Sequence, residues 1–175
     1  MRRPMLWCAT SPLVAEHGRL NGQGLAGLGL APDALIAVEA AREADALWAL
    51  EEGLRSGVLS LAVGVLTEIG LTPSRRLGLA AAAGRTAALL LTLPGSSPVP
   101  TAALRLRLKR LPSAPHPFDP KAPGAPRIRL TVERSRGAPP AVETLSLELE
   151  WCDVTHRFRM AAGMADRAHA TAVAR

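Results

Sequence analysis

Hydrophobic residues change their spacing within the segment 33–65, DALIAVEAAREADALWALEEGLRSGVLSLAVGV. Residues 35–38 form a short apolar run, and residues 59–65 form a second one after Gly57. Between them, residues 43–55 have the length of a helix and carry leucines on one stripe. Two apolar strands joined by an amphipathic helix predict a parallel pair that is buried on both faces. Such a connection is almost always right-handed, and it predicts an α/β protein.

The rest of the first half extends this parallel arrangement. Residues 5–9 (MLWCA) and 86–93 (TAALLLTL) are apolar runs typical of buried strands. Between the runs, Thr72 suits the N-cap of a further helix, which Gly84 would end. Residues 1–93 therefore predict a mostly parallel sheet that is flanked by helices.

The second half has the two-residue period of strands with one buried face. Leucine alternates with arginine and lysine in residues 104–109, and comparable alternation follows in residues 127–136 and 145–151. The proline-rich segment 112–126 predicts an extended surface loop. Residues 101–160 are therefore expected to form a C-terminal antiparallel strand extension.

Length and composition fit one domain over residues 1–167, with residues 168–175 as a flexible tail. The chain has 175 residues, and 48% of them are hydrophobic. No apolar run approaches the length of about 18–20 residues that a membrane helix needs. The two cysteines do not have the spacing of a metal site, which indicates a protein of the reducing cytoplasm.

Charge is distributed unevenly along the chain. Residues 1–93 hold eight arginines and eight acidic residues, whereas residues 94–175 hold thirteen basic and seven acidic residues. The net charge of +6 therefore belongs to the second half. This asymmetry favours an anionic partner for that half, although arginine enrichment from coding bias would have the same effect.

One glycine motif resembles a cofactor fingerprint. Gly22, Gly24 and Gly27 have the spacing GxGxxG, but the fingerprint requires a strand directly before it and a long helix after it. Here Pro32 follows too early for such a helix, and a short helix within residues 20–30 is the favoured interpretation. The sequence also has no GxxxxGK[ST] phosphate loop. We expect no cofactor, no metal and no catalysis.

Trp48 is the first candidate for a functional residue. It lies about 100° around the helix from Leu47, on the flank that also carries Glu51, Glu52 and Arg55. A half-exposed tryptophan beside charged residues is typical of a protein interface. In the alternative interpretation, Trp48 packs over the edge of the sheet and has only a structural role.

The basic strand faces form the second candidate surface. Five cations alternate with apolar residues: Arg105, Arg107, Lys109, Arg127 and Arg129. They form either the solvated face of an amphipathic sheet or a contact surface for DNA or an acidic partner.

Several segments resemble the ImuA family of bacterial RecA-like, SulA-related accessory proteins. The resemblance covers roughly residues 4–167, and it is most specific in DALWALEEGLRSG and SAPHPFDPKAPGAPR. It also includes PMLWCAT, LTPSRRLGLAAAAGRTAALLL and the closing HRFRM. The resemblance implies a RecA-like core, and it implies that an N-terminal segment of the family is missing here.

The resemblance further implies a non-catalytic adaptor in the SOS response, which supports error-prone translesion synthesis. Its implied partners are the polymerase-like protein ImuB, an error-prone replicative-type polymerase and RecA, with a weak contact to DNA. Two alternatives stay open. In the first alternative, the chain is a sequence-independent DNA-binding module. In the second, it is an ATPase whose phosphate loop is missing from this sequence.

Overall fold

A computed structural model describes residues 3–116, 118–119, 121–137, 139, 142 and 145–161. The chain folds as two compact units, Met1–Ala102 and Ala103–Arg175. The predicted tail over residues 168–175 lies outside the described residues, and the assignment of residues 1–167 to a single RecA-like domain stays a prediction.

The first unit is a parallel sheet flanked by helices. Its helices and strands are β1 (Met5–Thr10), α1 (Ser11–His17), α2 (Gly22–Gly27), β2 (Leu35–Ala40), α3 (Glu43–Ser56), β3 (Leu61–Leu66), α4 (Leu71–Gly84) and β4 (Ala87–Thr92). The four strands have the order β2-β1-β3-β4, and all neighbouring pairs are parallel.

The predicted pair of central apolar runs, buried on both faces, is wrong in two respects. The first is burial, because β2 is an edge strand in which Ile36 is 47% exposed, and the second is the pairing itself. Strands β2 and β3 are parallel, but β1 lies between them, with Met5 aligned to Leu35 on one side and to Leu61 on the other. The connection through α3 therefore crosses over one intervening strand. The sequence pattern predicts that the two strands are parallel and that the connection is right-handed. It does not predict how many strands lie between them.

Helix α3 covers the centre of the sheet. Leu50 and Leu54 are almost completely buried. A Cβ at Gly64 of β3 would lie 2.6 Å from the Leu50 side chain, so the missing side chain lets the helix pack directly on the strand. Gly57 then ends the helix in the left-handed conformation, at φ 68°.

Two predictions about α4 and β4 are wrong. Helix α4 begins at Leu71 with Gly70 as its N-cap, so Thr72 lies inside the first turn and does not cap it. Strand β4 was expected to be buried, but it ends the sheet, and Leu89 is 45% exposed. Its apolar sequence resembles that of a central strand because the local pattern does not report position in the sheet.

The second unit is an antiparallel sheet. Its strands are β5 (Leu104–Leu111), β6 (Arg127–Ser135), β7 (Ser146–Cys152) and β8 (Arg157–Met160), in sequential order. Leu108, Leu130 and Leu147 are aligned across three strands and share one face. The parallel sheet, its helices and this antiparallel sheet confirm the predicted α/β class with an antiparallel extension.

The proline-rich segment between β5 and β6 contains no strand within its described residues. It is closed by an isolated bridge between Pro115 and Pro123 and by a hydrogen bond of 2.9 Å from the Ala114 amide to the Ala125 carbonyl. The segment is therefore folded back on itself and is less extended than the sequence predicted.

Candidate partner-binding surface

Helix α3 presents Trp48 to solvent. The helix buries Ala46, Leu50 and Leu54 on the stripe that faces the sheet. Trp48 lies two positions from Ala46 and from Leu50, which places it about 200° around the helix from each. Its side chain is 63% exposed, so it does not pack over the edge of the sheet. The exposure fits the interface interpretation, and the binding role stays a prediction.

A buried carboxylate joins α3 to α4 next to this tryptophan. Glu51 is 8% exposed, and its Oε1 accepts a hydrogen bond from Arg55 Nη2 at 2.5 Å. Its Oε2 lies 2.6 Å from Nη2 of Arg76 on α4. Arg55 Nη1 also donates to Glu52 Oε1 at 2.8 Å. The three charged residues predicted to flank Trp48 thus lie in one ion-pair network.

The fourth member of the network, Arg76, was not predicted. It lies in the helical sequence LTPSRRLGLAAAAG, and nothing in that sequence indicates a partner 25 residues earlier in the chain. The contact exists because α4 packs beside α3. A sequence signal would have required knowledge of that packing.

The network controls the ionisation of Glu51. Burial alone would raise the pKa of this carboxyl, but the hydrogen bonds from Arg55 and Arg76 outweigh burial and hold the pKa below its ordinary value. Glu51 is therefore ionised at neutral pH. The network beside Trp48 contains two carboxylates and two guanidinium groups, so it has no net charge.

Most of the predicted basic residues already have acidic partners in the antiparallel sheet. Arg127 lies opposite Glu150 at 2.7 Å, and Arg129 lies opposite Glu148 at 2.5 Å. Arg107 donates to Glu133 of the neighbouring strand. These glutamates were not predicted as site residues because the pairs depend on the register of the strands.

The two other predicted cations differ in exposure. Lys109 is exposed and forms no ion pair among the residues that the structure describes, whereas Arg105 is half-buried. Glu150 accepts hydrogen bonds from Arg159 and Arg127, which outweigh the effect of burial and lower its pKa. Three of the five predicted cations are therefore paired with carboxylates, and their role in binding DNA or an acidic partner stays a prediction.

The glycine motif lies in a different context from that of a dinucleotide site. Gly22 and Gly27 bound α2, and Gly24 donates its amide to Oδ1 of the capping residue Asn21 at 3.0 Å. The helix is preceded by α1 and not by a strand.

Throughout the described part of the chain, no helix has the length and apolar character needed to cross a membrane.

Comparison with known proteins shows the family. Two proteins with the name Protein ImuA, from two strains of Caulobacter vibrioides, are each 33% identical to this chain over 175 aligned positions. The alignment covers 92% of this chain and 69% of each relative. The chain belongs to the ImuA family. This confirms the resemblance that the sequence motifs indicated.

Two further comparisons accompany the ImuA match. No protein-family model matches the chain. Among solved structures, SulA from Pseudomonas aeruginosa is similar with 24% sequence identity and a TM-score of 0.43. That similarity covers 53% of this chain and 71% of SulA. Membership in the ImuA family indicates an accessory protein related to DNA damage.

Proposed function

We propose that this member of the ImuA family is a non-catalytic adaptor in damage-induced, error-prone translesion synthesis. Family membership supports the link to DNA damage. The adaptor role, the SOS context and a cytoplasmic location belong to the proposal. The proposed first partner is ImuB, and an error-prone replicative-type polymerase and RecA are further candidates.

The observation that carries the docking role is the exposure of Trp48. A tryptophan that is 63% exposed on a well-packed helix provides a large apolar contact area. Leu50 and Leu54 fix the helix on the sheet, and Glu51 ties it to α4. Because the surface is already ordered, binding would cost little additional conformational entropy. We propose that a partner covers Trp48 with an apolar pocket.

The experiment is a binding titration of this chain against purified ImuB, with the Trp48→Ala variant. Central tryptophans in interfaces contribute about 2 kcal/mol or more, so the variant should bind about 30-fold more weakly. Val58→Ala is the matched control, because Val58 is 59% exposed in the same unit. Circular dichroism of each variant establishes that it is folded.

Two results would contradict this proposal. One is a folded wild-type chain that binds neither ImuB nor the other two candidates. The other is equal affinity of Trp48→Ala and wild type, which would place the contact elsewhere.

The DNA-binding alternative receives less support from the described contacts. Arg107, Arg127 and Arg129 already contact carboxylates, so binding phosphate would require breaking or sharing these ion pairs. If DNA binding nevertheless occurs, its affinity should fall steeply with salt and respond to charge reversal of these arginines. The ATPase alternative would require a phosphate loop that this sequence does not contain.

A further inference from the structure

The loop between β5 and β6 presents an aromatic side chain to solvent. Phe118 is 92% exposed, the highest value among the large hydrophobic residues that the structure describes. The ring of His116 lies 6.0 Å from it, between centroids, and is inclined by 64°. The histidine therefore touches the phenylalanine at an edge, and it does not stack on the face of the ring.

The backbone around Phe118 is held by hydrogen bonds within the loop. Nδ1 of His116 accepts from the amides of Phe118 and Asp119, at 3.3 and 3.2 Å. Nearer the sheet, the amide of Gly124 donates to the carbonyl of Ala114 at 3.0 Å. Because these bonds fix the loop before a ligand arrives, binding on the exposed ring loses little conformational entropy.

The antiparallel sheet carries a surplus of positive charge at the end where this loop leaves it. Strand register places five cations and two carboxylates on one face there, namely Lys109, Arg127, Arg129, Arg157 and Arg159, with Glu148 and Glu150. Both carboxylates are already paired, Glu150 with two arginines and Glu148 with one. The turn after β7 adds only one further carboxylate, that of Asp153, so the face attracts anions.

Two of these cations are available without the loss of an ion pair. Lys109 and Arg157 are exposed, and neither forms an ion pair within the described ranges of the chain. A phosphate can therefore bind to them while the carboxylates of this face keep their arginines.

The aromatic ring and the basic face lie within reach of one short strand of nucleic acid. Strand β5 ends at Leu111, seven residues before Phe118, so the ring lies no more than about 25 Å from the end of that strand. Twelve nucleotides span about 40 Å even at the spacing that they have in duplex DNA. Such a strand is long enough to contact both features.

We propose that this end of the antiparallel sheet binds single-stranded nucleic acid, with phosphates on the basic face and a base stacked on Phe118. Proteins that bind single strands combine a cationic surface with exposed aromatic rings, because every base has a face that can stack. An acidic peptide would use the cations but not the ring. A duplex would also leave the ring unused, because its bases are stacked on one another. This site goes beyond the adaptor proposal and does not depend on Trp48.

Fluorescence anisotropy of a labelled 12-nucleotide oligothymidylate tests the stacking contact on the full chain. Phe118→Leu keeps an apolar side chain but removes the aromatic face, so it should weaken binding at least about fivefold. Phe118→Trp should bind at least as tightly as wild type. Val154→Ala is the matched control, because Val154 is 91% exposed in the turn at the same end of the sheet, and it should bind like wild type.

A salt titration tests the phosphate contact. Wild-type affinity should fall steeply with salt, and Lys109→Glu should make that dependence weaker by about 0.7 in the logarithmic slope for each lost contact with a single strand. Arg75→Glu is the matched control, because Arg75 is exposed on α4 of the first unit and the change in net charge is the same. It should leave the slope as in wild type.

Four results would overturn the proposal. The first is no binding of oligothymidylate at low salt by a chain that circular dichroism shows to be folded. The second is equal affinity for a 12-base-pair duplex or for polyglutamate, which would identify a ligand of another class. The third is equal affinity of Phe118→Leu and wild type, and the fourth is equal effects of Lys109→Glu and Arg75→Glu. None of these results bears on ImuB, whose proposed contact is Trp48.

Discussion

Replacing Gly84 with alanine should force apart the C-terminal ends of α3 and α4. Gly84 is the last residue of α4, and a Cβ there would overlap the carbonyl oxygen of Leu54 on α3. The same Cβ would lie 3.0 Å from the Leu54 carbonyl carbon and 3.1 Å from the Gly57 amide nitrogen. All of these are backbone atoms, so no change of rotamer relieves the overlap. The helix ends must separate by about 1 Å.

The expected loss of stability follows from this displacement. Overpacking in a dense interior costs about 1–3 kcal/mol, and the upper end applies here because backbone must move. Alanine recovers about 0.5–1 kcal/mol relative to glycine through its higher helix propensity. The net loss in the free energy of unfolding should therefore be about 2 kcal/mol. In urea this corresponds to a midpoint lower by about 1 M.

The same substitution elsewhere in α4 provides the control. Gly78 is exposed, and a Cβ there would meet no atom within 4 Å. Gly78→Ala should therefore raise the free energy of unfolding by about 0.5–1 kcal/mol. Urea unfolding followed by circular dichroism at the helix band reports on the first unit, which contains all the described α-helices. If both variants shift the midpoint in the same direction, the proposed close contact is wrong.

Two further predictions concern ionisable groups. Because the folded pKa of Glu51 lies below its ordinary value, its ionised form stabilises the fold above about pH 4.3, and this contribution disappears as pH falls through the folded pKa. Glu51→Gln should flatten the acid side of the stability curve, and an unchanged profile would refute the network. Burial raises the pKa of Cys8 to about 11, whereas hydrogen bonding to Thr155 lowers that of Cys152. A maleimide at neutral pH should modify Cys152 first, as peptide mass spectrometry can check, and equal modification would contradict this.

The sequence predicts those elements whose hydrophobic spacing is local. The predicted helix 43–55 corresponds to α3, and Leu50 and Leu54 of its apolar stripe are core residues. Gly57 ends that helix as expected, because glycine adopts the left-handed conformation without strain. Family motifs added what spacing does not contain, namely the relation to ImuA.

Features that depend on distant packing were missed. The runs 59–65 and 86–93 are equally apolar, yet β3 is central and β4 lies at an edge. The ion pair of Arg76 with Glu51 exists only because α4 lies against α3. In the same way, the partners of the basic residues follow from strand register. Local patterns therefore predict which side chains lie on a surface. The ion pairs between those side chains can be assigned only when the packing of the helices and the register of the strands are known.

The central position of β1 has a consequence for folding during synthesis. β1 is made before both of its neighbours. It can pair with β2 only after Leu35 has emerged from the ribosome, and with β3 only after Leu61 has emerged. Closing a loop of this length costs chain entropy, and no local hairpin offsets the cost. β1 therefore cannot complete its pairing with β3 until about 50 further residues have been added, and its apolar side chains are prone to nonspecific association until then.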